Sequence, residues 1–184
     1  IYGVASGSIS ILGDKAYILC GIREIDSSSS IKYLNDKILI YDFIQDAWSS
    51  VDIDENYINE YKRISPVSYV DNEGKIRVIG GVIENKEDLS NIHLEYFTTS
   101  FMIDINDNSI SADENKYDNM PKPFYKALST SIDNITYIAG GVTSISGSSN
   151  LLNVIDTDVL YSDPFVCSLG SNMIKGKNAF GFTN

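Results

Sequence analysis

Histidine is almost missing from this chain, with His93 alone in 184 residues. A single imidazole excludes two-histidine metal sites, and any hydrolase built on a histidine base would have to rely on His93. No Gly-x-Ser-x-Gly elbow accompanies any serine. Cysteine is scarce too: Cys20 and Cys167 are too few for a disulfide framework and lack the local spacing of a zinc site. Cys20 ends an apolar run and reads as a small buried thiol, with a bridge to Cys167 left open. Basic residues are in deficit, 14 against 25 acidic ones, for a formal charge of −11. That charge opposes a nucleic-acid backbone or an anionic membrane surface and favours a basic partner. No apolar run approaches the ~20 residues of a membrane-spanning helix, and nothing at the start resembles a signal peptide. The expected compartment is therefore cytoplasmic, or extracellular if a signal lies upstream.

What is present is repetition. Cys20-Gly21, Gly80-Gly81 and Gly140-Gly141 each close a short β-rich run, and the second glycines recur at an interval of 60 residues, 21, 81 and 141. A fixed period of this size marks a repeat architecture in which no unit buries its apolar face alone. Ahead of each pair lies a predicted hairpin. The first joins Ser8-Ile9-Ser10-Ile11-Leu12 to Ala16-Tyr17-Ile18-Leu19 through Gly13-Asp14-Lys15. The second joins Pro66–Val70 to Ile76–Ile79 through Asp71-Asn72-Glu73-Gly74-Lys75, and the third joins Ala127–Ile132 to Ile135–Ala139 through Asp133-Asn134.

After each glycine pair comes a polar stretch, Glu24 to Asn35 and Glu84 to Asn91, and then a third β-rich run, Lys37–Asp42 and Thr98–Asp104. Trp48 and Ile110, six residues beyond Asp42 and Asp104, mark a fourth strand. In the third unit Leu151–Tyr161 and Phe165–Leu169 take these places, with Asp163-Pro164 as the turn. Glu55 to Lys62 reads as a helical turn or a loop, with Tyr57, Ile58 and Tyr61 on one side. Ser27–Ser30 and Ser144–Ser149 read as flexible loop tips.

A strand ending in Gly-Gly, a Tyr-Asp about twenty residues on and a tryptophan six beyond it resemble the kelch repeat. The first unit carries the fullest copy, Tyr17, Cys20-Gly21, Tyr41-Asp42 and Trp48. The second keeps Gly80-Gly81 and Asp104, with Ile103 and Ile110 for the aromatics, and the third keeps Tyr137 and Gly140-Gly141. The resemblance implies an all-β fold, a kelch-type β-propeller fragment of four-stranded antiparallel blades. Its units would run over 1–63, 64–121 and 122–172, with the start of a further unit at 173–184. Glycine would permit close backbone approach, tyrosine and tryptophan would fill the space between blades, and the insertions after Gly-Gly would sit on one face. Three blades are too few for a ring of ~4 to 8. The expected reading is half of a propeller belonging to a longer protein, with a ring closed by a second chain as the alternative.

Enzymes of this fold need sets that the chain does not offer. Copper oxidases resembling galactose oxidase use paired histidines. Relatives resembling the sialic acid mutarotase need an arginine with an acid/base pair, for which Arg23, Glu24 and Glu84 are the candidates, although salt-bridged loop residues explain them as well. Asp52 with Asp54, and Asp104 with Asp107, invite calcium but lack the spacing of an EF-hand loop. The sequon at Asn134 falls where a core strand is expected. The expected function is thus a non-catalytic protein-interaction scaffold without cofactor or metal, presenting long polar loops and aromatic anchors to a protein partner, with Tyr33, Tyr96 and Phe97 the candidates and core packing the preferred role of Phe97. A carbohydrate-binding or carbohydrate-active propeller is the alternative.

Overall fold

The computed structural model describes residues 3–26, 31–71, 73–88, 91–97, 99–105, 109–112, 125–132, 135–144, 147–148, 152–156 and 167–169. Ser27–Ser30, Asp107, the turns at 133–134 and 163–164 and the expected extra unit at 173–184 lie outside the described residues.

The first sheet is built from β1 (Ser8–Leu12), β2 (Lys15–Leu19), then, after a ribbon of β3 (Ile22–Asp26) and β4 (Ile31–Leu34), β5 (Lys37–Asp42) and β6 (Ala47–Asp52). The helical turn α1 (Ile58–Tyr61) leads to the second sheet. This comprises β7 (Val67–Val70), β8 (Ile76–Ile79), the ribbon β9 (Val82–Asp88) and β10 (Asn91–Tyr96), then β11 (Ser100–Asp104) and β12 (Ser109–Ala112). The third has β13 (Tyr125–Ile132), β14 (Ile135–Ser144), β15 (Gly147–Ser148), β16 (Leu152–Asp156) and β17 (Cys167–Leu169). The sheet orders are β1-β2-β5-β6, β7-β8-β11-β12 and β13-β14-β16-β17, all antiparallel, as the repeat predicts.

Strand alternation gives each sheet two faces, and register shows which residues share one. Ile9 pairs Ile18, which pairs Leu39; the matching set in the second sheet is Ser68, Val78 and Phe101, and in the third Ser129 and Ile138. In the second and third sheets this face meets the preceding sheet. Tyr17, Leu19 and Ile38 of the first sheet pack on Ile76, Val78, Phe101 and Ile103 of the second. Val67, Tyr69 and Ile79 then pack on Ala127 and Ile138 of the third. The second sheet is buried on both faces, and each fully buried aromatic or aliphatic side chain contributes about 1.5–3 kcal/mol. Of the two readings of Glu55–Lys62, the structure takes the helical turn, because Tyr61 is buried and Tyr57 and Ile58 pack on the first cluster. The Tyr61 hydroxyl donates to the carbonyl of Lys37 at 2.7 Å and accepts the N–H of Cys20 at 3.0 Å.

The first strands of the three sheets lie side by side. Ser65 N–H donates to the carbonyl of Ser6 at 2.6 Å and Lys126 N–H to that of Ser65 at 3.1 Å, so equivalent residues of successive sheets are linked. These residues have φ of 54°, 50° and 56°, and each stands in register opposite the second glycine of its unit, with φ of 84°, 90° and 85°. A Cβ on Gly21 would lie 2.6 Å from the Ala5 carbonyl oxygen, and one on Gly141 2.8 Å from that of Tyr125. The close approach is thus to the segment entering the same sheet.

Tyr17 fills the space between the first two sheets, as the motif implies. Trp48 is 48% exposed and rests on Tyr41 of its own sheet, with ring centroids 5.0 Å apart. It lies on the face of the first sheet that no described sheet covers.

Candidate interaction face

Past each second glycine the chain does not enter a polar loop. It continues as a two-stranded ribbon, β3–β4 and β9–β10, and in the third unit β14 runs on to Ser144 with β15 paired to it. Ser144 and Gly147–Ser148 are therefore strand residues and not loop tips. The ribbon bases are closed alike: Asn35 N–H donates to the Gly21 carbonyl at 2.9 Å, and Phe97 N–H to that of Gly81 at 3.0 Å. Buried Asn35 adds side-chain bonds to the carbonyls of Cys20, at 3.0 Å, and Lys37, at 2.7 Å.

Ile22, Ile64 and Val82 form an apolar cluster under the ribbons, with Leu34, Tyr96 and Tyr125 against it. Tyr96 belongs to this cluster, its ring 5.8 Å from that of Tyr125, and burial raises its hydroxyl pKa. That removes Tyr96 from the expected surface anchors. Tyr33, 42% exposed on β4, stays among them. Phe97 is held from below by Arg63, whose guanidinium lies 4.2 Å from the ring centroid.

Arg63 is the residue that sequence reasoning missed. It is fully buried. Its Nε donates to the carbonyl of Glu60 at 2.6 Å, and its Nη atoms to the carbonyls of Gly80 at 3.2 Å and Thr99 at 2.6 Å and to Thr99 Oγ1 at 3.0 Å. Its own carbonyl accepts the Gly21 N–H at 2.7 Å, tying the first glycine site to the second. Burial lowers its pKa to about 10, so it keeps its charge at neutral pH. No local spacing marks it, since its partners are backbone carbonyls scattered along the chain.

Cys20 lies in the same region as a free, buried thiol. Burial pushes its pKa up to about 12, more than Arg63 pulls it down. The neutral thiol is the unreactive form. Native protein at pH 8 treated with iodoacetamide is expected to leave Cys20 unlabelled by peptide mapping, with full labelling in urea; rapid native labelling would contradict this burial.

The other sequence candidates separate. Arg23 bonds the Asp36 carboxylate, at 3.0 and 3.2 Å, in a half-buried salt bridge. Asp52 pairs with Lys37, Asp54 accepts the N–H of Asn56 at 2.8 Å, and Asp104 lies 3.7 Å from Lys75. The side chains of Glu24, Glu84, His93 and Cys167, and the whole of Asn134, fall outside what is described.

At the other end of the strands, a cleft of about 350 Å³ opens between the turns of the first two sheets, lined by Tyr17, Lys15, Asp42 and Ile105 among others. Asp42 accepts the N–H groups of Gln45 and Ile44, each at 2.9 Å, and lies 3.7 Å from Lys15. The Gln45 bond, then those from Ile44 and Lys15, hold its carboxyl below the usual range. These bonds shape the β5–β6 turn.

No family model matches the chain, and no curated protein matches it in sequence. Among solved structures it is similar to YjhT, with a TM-score of 0.66 and 14% identity over 91% of this chain and 46% of that one. The chain thus spans about half the length of that structure. With its antiparallel four-stranded sheets packed face to face, the protein is a fragment of a β-propeller.

Proposed function

We propose that this chain is part of a kelch-type propeller that acts as a non-catalytic interaction scaffold, presenting its ribbons to a protein partner. The observation that carries the reading is the placement of a ribbon directly after the repeat glycine in the first two units, with a shorter one in the third. A two-stranded ribbon offers backbone N–H and C=O groups along its edges, which an extended peptide segment can pair. The charge of −11 favours a segment carrying lysine or arginine.

Removal of one ribbon tests this. A variant in which residues 23–33 are replaced by Asn-Gly keeps Ile22 and Leu34 in the cluster below. It is expected to retain its circular dichroism and melting behaviour while partner capture in an affinity pull-down falls at least tenfold. A glycan array run beside it supplies the opposing outcome: saccharide binding without any captured protein would replace the scaffold by the carbohydrate reading.

A further inference from the structure

We propose that the cleft between the turns of the first two sheets binds a lysine side chain, its aliphatic stem against Leu12, Ile44 and Ile105 and its ammonium on Asp42. The cleft lies at the opposite end of the strands from the ribbons, so this is a second site, beyond the scaffold reading. Both of its walls are described: Leu12, Asp42 and Ile44 belong to the first sheet and its turns, Gly74 and Ile105 to the second. The two sheets pack on each other through Tyr17 and Ile76 among others, so a sheet beyond either one would not fill the space between these turns.

The volume of about 350 Å³ falls within the ~300–1,000 Å³ of small-ligand sites. Gly74 leaves its side open, since an added Cβ there would meet nothing within 4 Å. Ile44 lines the cleft from the β5–β6 turn and is 77% exposed. An apolar stem entering the cleft would cover it, while the charged end of the same side chain stays with polar groups.

The charges select the ligand. The turns and strand ends framing the cleft carry Asp14, Asp42, Glu73 and Asp104 against Lys15 and Lys75. Lys75 stands between two carboxylates, 3.5 Å from Glu73 and 3.7 Å from Asp104. Asp42 Oδ1 takes the N–H groups of Ile44 and Gln45, and its Oδ2 faces the Lys15 ammonium at 3.7 Å. That separation exceeds the ~2.7–2.9 Å of a charge-assisted hydrogen bond, and the Lys15 side chain is 48% exposed, so an incoming cation can displace it. One carboxylate oxygen offered singly suits an ammonium, whereas a guanidinium forks across two. Tyr17 and Gln45 also line the cleft and supply oxygens for the remaining ammonium N–H groups. Burial, and then Asp42, raise the Tyr17 hydroxyl pKa and keep it neutral, while the turn bonds keep Asp42 ionised.

Ligand-observed NMR titration of the purified protein with Nα-acetyl-lysine methylamide tests the site, beside the norleucine, arginine and glutamate counterparts. The lysine derivative is expected to bind about tenfold tighter than norleucine, which lacks the charge, and ahead of arginine, with no binding of glutamate. Asp42→Asn keeps an oxygen for the turn N–H groups and is expected to weaken lysine binding about tenfold with unchanged circular dichroism. Lys15→Met removes the competing ammonium and is expected to tighten binding about threefold, the scale of an exposed ion pair. Lysine binding lost in Lys15→Met, or glutamate bound in preference to lysine, would reveal an anion site and overturn the proposal. Norleucine binding as well as lysine, arginine binding better, no binding of lysine, or lysine binding indifferent to both variants would overturn it equally.

Discussion

Gly21→Ala is expected to destabilise the protein by about 2–5 kcal/mol, whereas Gly13→Ala costs only about 1–2 kcal/mol. Both glycines have positive φ, 84° and 57°, so each alanine meets the left-handed penalty of an L-residue. They differ in surroundings. A Cβ on Gly13 meets nothing within 4 Å, but one on Gly21 falls 2.6 Å from the Ala5 carbonyl and 2.7 Å from the Gly7 nitrogen. These are backbone atoms of the segment entering β1, and they can move only if the inter-sheet bond from Ser65 to Ser6 moves with them. The further cost of Gly21→Ala is that of overpacking, about 1–3 kcal/mol. Urea midpoints at equal slope measure the difference. Equal losses in the two variants would mean that the close approach contributes nothing.

The strands of the three sheets were legible because alternation, turn residues and the glycine interval agree with one another. Ser8–Leu12 and Lys15–Leu19 are bounded by Gly13-Asp14, and the residues expected inside are inside, Tyr17 and Leu19 among them. The ribbons were not legible. Strand pairing in a ribbon is carried by backbone hydrogen bonds and needs no apolar alternation, so Glu84-Asn85-Lys86-Glu87-Asp88 reads as loop while pairing as strand. Cys20 was readable as a buried thiol, but its φ of 57°, shared with Gly80 at 66°, was not.

For the candidate site, the residue types alone pointed the wrong way. Tyr96 looked like an anchor because it is aromatic and lies among polar residues, yet the apolar cluster at the ribbon base holds it. Arg63 gave no signal. A buried guanidinium satisfied by three carbonyls and a threonine hydroxyl, and stacked on Phe97 and Phe101, is held by groups that no sequence pattern marks.

A buried ion pair carries the second large effect. In the β7–β8 hairpin, Asp71 Oδ2 accepts a hydrogen bond from Arg77 Nε at 2.7 Å, with both side chains at most 4% exposed. Asp71 Oδ1 accepts the N–H groups of Glu73 at 3.0 Å and Lys75 at 2.9 Å, so the same carboxylate shapes the turn. Arg77 occupies the position that Tyr17 and Tyr137 hold in the other sheets, where no charge needs an answer. Asp71→Ala removes the carboxylate from a charge still buried, and the expected loss is about 3–5 kcal/mol, or about 2–4 °C of Tm per kcal/mol. Adding Arg77→Met removes the stranded charge at similar volume. The double variant is therefore expected to be less destabilised than the two single losses combined, by about 1–3 kcal/mol, the coupling of residues in direct contact. Strict additivity would show that Arg77 finds compensation without Asp71, leaving the turn hydrogen bonds as the carboxylate's main contribution.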